Sequence, residues 1–249
     1  MNYKLILVEG LPGTGKTTLS EQIFNLLSKQ GTPSSVLLEE NTKIPSNFYN
    51  IAGVPINDFI DFAMPFITKT DNYFFVDLGN CTEEAKQQLL RYDIGDEFNK
   101  HISAKEYSRC TLEWWQNWVA NNTNEPVLIL DSAFMQCPIN EMIFRGASNS
   151  EVSAYIKSIS EIIEPLHPIC VYLRRESAKV AIDFAKTVKG IHWTNGIDSL
   201  AQSDFPDLFE RRFYLENELL HLIPNIICDI NGNDWSDAEL KINEMLLSL

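Results

Sequence analysis

Lys4-Leu5-Ile6-Leu7-Val8, followed by Glu9 and then by Gly10-Leu11-Pro12-Gly13-Thr14-Gly15-Lys16-Thr17-Thr18, is the stretch on which the fold turns. A continuous apolar run from Lys4 to Val8 predicts a parallel strand buried on both faces, since a strand with one wet face would alternate. Leu19, Ile23, Leu26 and Leu27 fall on one stripe and predict a helix from Lys16 to about Lys29. Between strand and helix, Gly10, Gly13 and Gly15 let the backbone curl so that successive N–H groups point inward around an anion. The start of the helix adds its partial positive charge at the same spot.

Gly10 to Thr17 fits G-x-x-x-x-G-K-[ST] at every fixed position, in the strand-loop-helix context that phosphate binding requires. Lys16 is expected to reach the β- and γ-phosphates of ATP, and the Thr17 hydroxyl to coordinate Mg2+. Pro12, Thr14 and Thr18 complete the expected cradle. The competing account is a glycine-rich turn with a chance lysine.

Further along, Gly31 and Pro33 break the helix, and Val36 to Leu38 restarts a short strand ending in Glu39 and Glu40. Residues 41–125 are mixed: Pro45, Pro55 and Pro65 interrupt, Tyr73 to Leu78 reads as strand or buried helical turn, and Thr82 to Tyr92 as helix. Ala104 to Val119 is a helix carrying Trp114, Trp115 and Trp118, which are spaced for packing against a sheet. Strands follow at Val127 to Asp131, Ile169 to Leu173 and Ile226 to Cys228. Helices are expected at Asn149 to Glu164, at Asp207 to Leu222 and from Ser236. This alternation predicts an α/β chain, one doubly wound parallel sheet flanked by helices in three layers. Residues 1–249 form a single domain in this account, with a helical acceptor-binding insertion at 41–125 and a lid at 174–205.

Ligands in open α/β sheets gather at the carboxyl ends of the strands. Asp131 ends an apolar strand there, as a magnesium ligand, a base, or simply a cap for the turn that begins at Ser132. Glu39 and Glu40 end another strand; either can take the proton of an acceptor hydroxyl as phosphate transfers, and Glu39 follows Leu38 without a break. Phe134 and Gln136 offer a stacking ring and an amide that donates and accepts, or else a core side chain and a cap. Arg174 and Arg175 open the lid, where an arginine would neutralise charge moving in transfer, or stand in surface ion pairs. Arg211 and Arg212 lie on the helix after Asp207, with Arg211 taken as the substrate contact and ordinary pairing with Glu210, Glu216 and Glu218 as the alternative. The histidines His101, His167, His192 and His221 form no metal or catalytic spacing.

With these residues in hand, the chain resembles the nucleoside and nucleotide kinase group of P-loop proteins, which includes thymidylate kinase. The stretches MNYKLILVEGLPGTGKTT, VLLEE, YDIGDEFNK and DSAFMQCPIN are similar to a family of bacterial, uncharacterised P-loop kinase-like proteins. The resemblance implies a P-loop NTPase fold with the acceptor bound under residues 41–125. Ser132 departs from that group, which tends to place an arginine directly after the strand-end acid.

Composition narrows the function classes. A net charge of −14, from 34 acidic and 20 basic residues, opposes a nucleic-acid polymer as partner. The five cysteines are widely spaced and read as reduced thiols. No apolar run approaches the roughly 20 residues of a membrane span. The expectation is therefore a cytoplasmic, ATP- and Mg2+-dependent phosphotransferase acting on a nucleoside, nucleotide or other hydroxylated small molecule, with a homodimer as a permitted assembly. A nucleotide-driven ATPase or switch acting on a protein partner is the alternative.

Overall fold

The computed structural model of the chain describes residues 3–39, 41, 43–58, 66–96, 99, 101–124, 126–201, 205–232 and 234–247. In chain order the elements are β1 (Leu5–Gly10), α1 (Lys16–Lys29), β2 (Ser34–Leu37), β3 (Ile51–Pro55), β4 (Phe66–Lys69), β5 (Tyr73–Asp77), α2 (Glu83–Leu89), α3 (Ala104–Asn122), β6 (Val127–Asp131) and α4 (Gln136–Phe144). They continue with α5 (Asn149–Ile163), β7 (Pro168–Arg174), α6 (Ala178–Val188), α7 (Ile191–Ala201), α8 (Leu208–Leu219), β8 (Asn225–Asp229) and α9 (Ser236–Leu247).

Five of the strands form one parallel sheet in the order β2-β6-β1-β7-β8. β1 lies at its centre, buried along its whole length. Because successive side chains of a strand point to opposite faces, Leu5 and Leu7 enter one core with Trp115, Phe134, Tyr155 and Ile156. Ile6 and Val8 enter the other, with Leu19, Ile23 and Leu27 of α1 and Ile242 and Met245 of α9. Burying each such aliphatic side chain contributes about 1.5–3 kcal/mol, so the apolar run makes β1 the shared wall of two cores. The expected α/β architecture of a parallel sheet between helical layers is present.

Helix boundaries follow local chemistry. Ser103 and Glu106 form a capping box at the start of α3, and Ser148 and Glu151 form another at the start of α5. Trp115 and Trp118 of α3 are buried, as their spacing predicts.

Residues 41–125 depart from the helical insertion expected there. Besides α2 and α3, this segment holds an antiparallel sheet in the order β3-β5-β4. Its strands are four or five residues long, too short to impose a visible period. A tertiary contact fixes one of them: a Cβ on Gly53 would lie 2.3 Å from the Cys110 sulfur, so α3 packs directly on the β3 backbone.

Candidate active site

The register of the parallel sheet sets Val8 beside Asp131 and Gly10 beside Leu173, so the carboxyl ends of β1, β6 and β7 form one lip. The loop from Gly10 to Lys16 rises from that lip. Gly10, Gly13 and Gly15 have φ of +140°, +77° and +92°, values that glycine adopts without penalty. Each is also crowded. A Cβ on Gly10 would sit 2.4 Å from the Leu173 carbonyl oxygen, one on Gly13 2.6 Å from the Ala185 Cβ, and one on Gly15 2.2 Å from the Trp235 ring. The loop is held by β7, α6 and the segment before α9.

Gly15 caps α1 with no side-chain hydrogen bond, and the first turn of α1 carries no acidic residue. Its N–H groups and the helix dipole therefore face the loop without a built-in anion. Thr14 turns its hydroxyl inward to the Leu11 carbonyl at 2.8 Å, bracing the loop. Pro12 is half-buried and Thr18 is exposed on the first turn of α1.

Lys16 is 7% exposed and donates to the Leu11 carbonyl at 3.2 Å. Burial and then the charge of Arg212 push its pKa down, while Asp131, Glu39 and Glu9 pull it back up. The ammonium thus feels the charges of Arg212 and of the acids at the strand ends together.

The Thr17 hydroxyl donates to the Asp131 Oδ2 at 2.6 Å, and the Ser132 hydroxyl donates to the Asp131 Oδ1 at 2.8 Å. Ser132 has φ of +64°, a strained backbone directly after the acid. Two hard oxygen donors side by side, one of them a carboxylate, fit magnesium, which keeps most of its water and takes few protein ligands. Among the described residues no group of three or more His, Cys, Asp and Glu side chains could hold a metal ion.

Beside this pair lies a polar network that is buried except at the exposed Glu39. The Gln136 Nε2 donates to the Glu39 Oε1 at 2.5 Å, and its Oε1 accepts from the Arg212 Nη2 at 3.3 Å. Arg212 is 1% exposed; it also donates to the Gly10 carbonyl at 3.2 Å, and its Nε stands 2.7 Å from the Glu216 Oε1. Tyr172 donates to the other oxygen of Glu216 at 2.8 Å. Glu9, fully buried, accepts from the backbone N–H groups of Phe134 at 2.6 Å and Gln136 at 3.2 Å. Burial raises the Glu9 pKa to about 7, against the lowering effect of those backbone donors, and Glu216 adds to the rise.

The structure sorts the sites expected from sequence. Lys16, Thr17, Asp131, Glu39 and Gln136 come together at the lip. Phe134 is fully buried in the core, so its ring has no face for stacking a ligand. Arg174 is bound bidentately by Asp229, at 2.7 and 3.1 Å, and its charge is already matched. Arg175 instead turns to the glycine loop: it donates to the carbonyls of Gly13 at 3.3 Å and Gly232 at 3.1 Å and stacks on Phe184. Arg211 bonds Asn149 and the Ala147 carbonyl, joining α8 to the start of α5, whereas its neighbour Arg212 bonds the Gly10 carbonyl and Gln136. Lys186 is paired with Asp198 across α6 and α7. Glu40 lies outside the described residues.

Sequence reasoning passed over Glu9 and undervalued Arg212. Glu9 gave a signal, an acid ending an otherwise apolar strand directly before Gly10. Arg212 and Glu216 are four residues apart, which in sequence is indistinguishable from an exposed helix pair. Here both are buried, where removing one partner costs about 3–5 kcal/mol.

No protein-family model and no curated protein matches the chain.

Proposed function

We propose that the protein is a phosphotransferase that binds ATP with magnesium at the Gly10–Thr17 loop and moves the γ-phosphate to the hydroxyl of a small molecule. The observation that carries this proposal is the meeting of two carboxylates with separate environments at one lip. Asp131 is bound to the Thr17 hydroxyl, while Glu39 stands apart on the β2 side with Gln136.

In this account the loop N–H groups and Lys16 hold the β- and γ-phosphates. Thr17 and Asp131 hold magnesium, which when bound supplies charge neutralisation to the phosphates. Glu39 takes the proton from the acceptor hydroxyl. Arg175, whose guanidinium bonds the Gly13 and Gly232 carbonyls, is better placed than Arg174 to answer charge on the nucleotide. The left-handed glycines of the loop and the start of α1 free of acids support reading it as a P-loop, and the likeness to nucleoside and nucleotide kinases is part of the same proposal.

Five unbridged thiols, three of them buried, favour a reducing compartment such as the cytoplasm. No helix among the described residues is long and apolar enough to cross a membrane.

The test is ADP release from MgATP against nucleosides, nucleotides and aminoglycosides. A kinase is nearly silent until its acceptor is present. Turnover that is the same with and without every acceptor would instead fit an ATPase or switch.

A further inference from the structure

The two ends of the Gln136 side chain are committed to partners of opposite kind. Arg212 can only donate, and the Glu39 carboxylate, when ionised, can only accept. The amide must therefore face its oxygen to Arg212 and its nitrogen to Glu39, the orientation found at 3.3 and 2.5 Å. A flipped amide would set donor against donor at one end and acceptor against acceptor at the other. Gln136 is 6% exposed, and its backbone N–H is pinned by Glu9, so its position is fixed at both main chain and side chain.

Arg212 is the fixed point of this chain. Its Nε lies 2.7 Å from Glu216 as an ion pair, Tyr172 holds Glu216 in turn, and its Nη2 reaches both Gln136 and the Gly10 carbonyl. One guanidinium nitrogen, Nη2, thus ties the first residue of the glycine loop to the amide that touches Glu39. A lysine in its place would keep the charge opposite Glu216 but, as a point charge on a flexible stem, could not hold Gln136 and Gly10 at Nη2 while Nη1 reaches the Asn140 Oδ1 at 3.4 Å.

We propose that Arg212 is a positioning residue that acts through Gln136, orienting the Glu39 carboxylate and keeping it in register with the glycine loop. The proposal rests on Glu39 serving the acceptor, and it assigns Gln136 to the protein's own framework in place of direct contact with a ligand.

The experiment uses Arg212→Lys, Gln136→Met and the double variant, with Lys16→Ala as a control for the nucleotide site. With MgATP and a pool of nucleosides, nucleotides and aminoglycosides, each single variant is expected to lower kcat about 10- to 100-fold, the effect of a slightly misplaced reacting group. KM for ATP should stay within about twofold. The double variant should lose no more than Gln136→Met alone, because both changes cut the same link.

A second readout needs no turnover. In isotope-labelled protein without nucleotide, the Gln136 side-chain amide signal, identified by its loss in Gln136→Met, should move in both Arg212→Lys and Glu39→Gln. If the pool gives no Lys16-dependent ADP release but the amide signal moves, the phosphotransfer proposal fails and the Arg212-Gln136-Glu39 link stands. An amide signal unmoved by Arg212→Lys, or full kcat in that variant with only its melting temperature lowered, would overturn the positioning role.

Discussion

Thr17 and Asp131 are 114 residues apart in the chain and 2.6 Å apart at the lip of the sheet, hydroxyl donor to carboxylate acceptor. The parallel register that sets Val8 beside Asp131 brings them together. Asn at position 131 would still accept from Thr17 while losing the charge that a divalent cation needs. Asp131→Asn should therefore lower magnesium-dependent turnover by at least about 10- to 100-fold, the cost of losing even a group that only supports a metal's ligand, with little change in melting temperature. A large fall in melting temperature with turnover intact would make Asp131 a structural residue.

Glu39→Gln keeps the size of the side chain and removes its ability to take a proton. Loss of one general base costs about 10²–10⁴-fold in rate, and it should appear in acceptor-dependent kcat with KM for ATP unchanged. Steady-state ADP release by the two proteins decides it: full kcat in the variant would pass the role to Asp131 or Glu40.

Two glycines with left-handed backbones separate packing from conformational cost. Gly31, at φ +74°, has open space where a Cβ would go, whereas Gly15, at φ +92°, meets the Trp235 ring. Alanine at either position costs about 1–2 kcal/mol of backbone strain. Gly15→Ala should cost a further 1 kcal/mol or more, roughly the penalty of overpacking, and should also weaken ATP binding. Urea unfolding of the two variants measures the difference, and equal losses would mean that Trp235 yields freely.

Glu9 predicts a pH dependence with a definite sign. Its pKa rises from an ordinary 4.5 to about 7 on folding, so between those values the native state holds a proton that the unfolded chain has released. Its contribution to stability is complete below pH 4.5 and is lost as pH rises through about 7. The wild type should lose stability relative to Glu9→Gln across that window. Parallel stability profiles for the two proteins would show that Glu9 does not titrate there.

Much of the scaffold was legible because it rests on local signals. The apolar run of β1, the glycine spacing and the stripe of α1 lie within thirty residues of one another and depend on nothing remote. The strand ending in Asp131 carries the same signal. What escaped depends on tertiary contact. Phe134 and Gln136 are two residues apart beyond the same strand, yet one is sealed in the core and the other lines the site. Arg211 and Arg212 are adjacent in sequence but point to different partners on α8, and only the packing of that helix tells them apart. The short strands β3 and β4 draw their pairing from β5 and leave no period to read.

The central claim is that the loop from Gly10 to Thr17 binds a magnesium nucleotide through Lys16, and calorimetric titration of MgATP into wild type and Lys16→Ala tests it most directly. Lys16 donates to the Leu11 carbonyl of its own loop and packs in neither apolar core, so the variant should still fold cooperatively, which its melting curve checks. Saturable single-site binding in the wild type, weakened by removing magnesium and lost in Lys16→Ala, is the predicted result. No binding to the wild type, or equal binding to a folded Lys16→Ala protein, would contradict it.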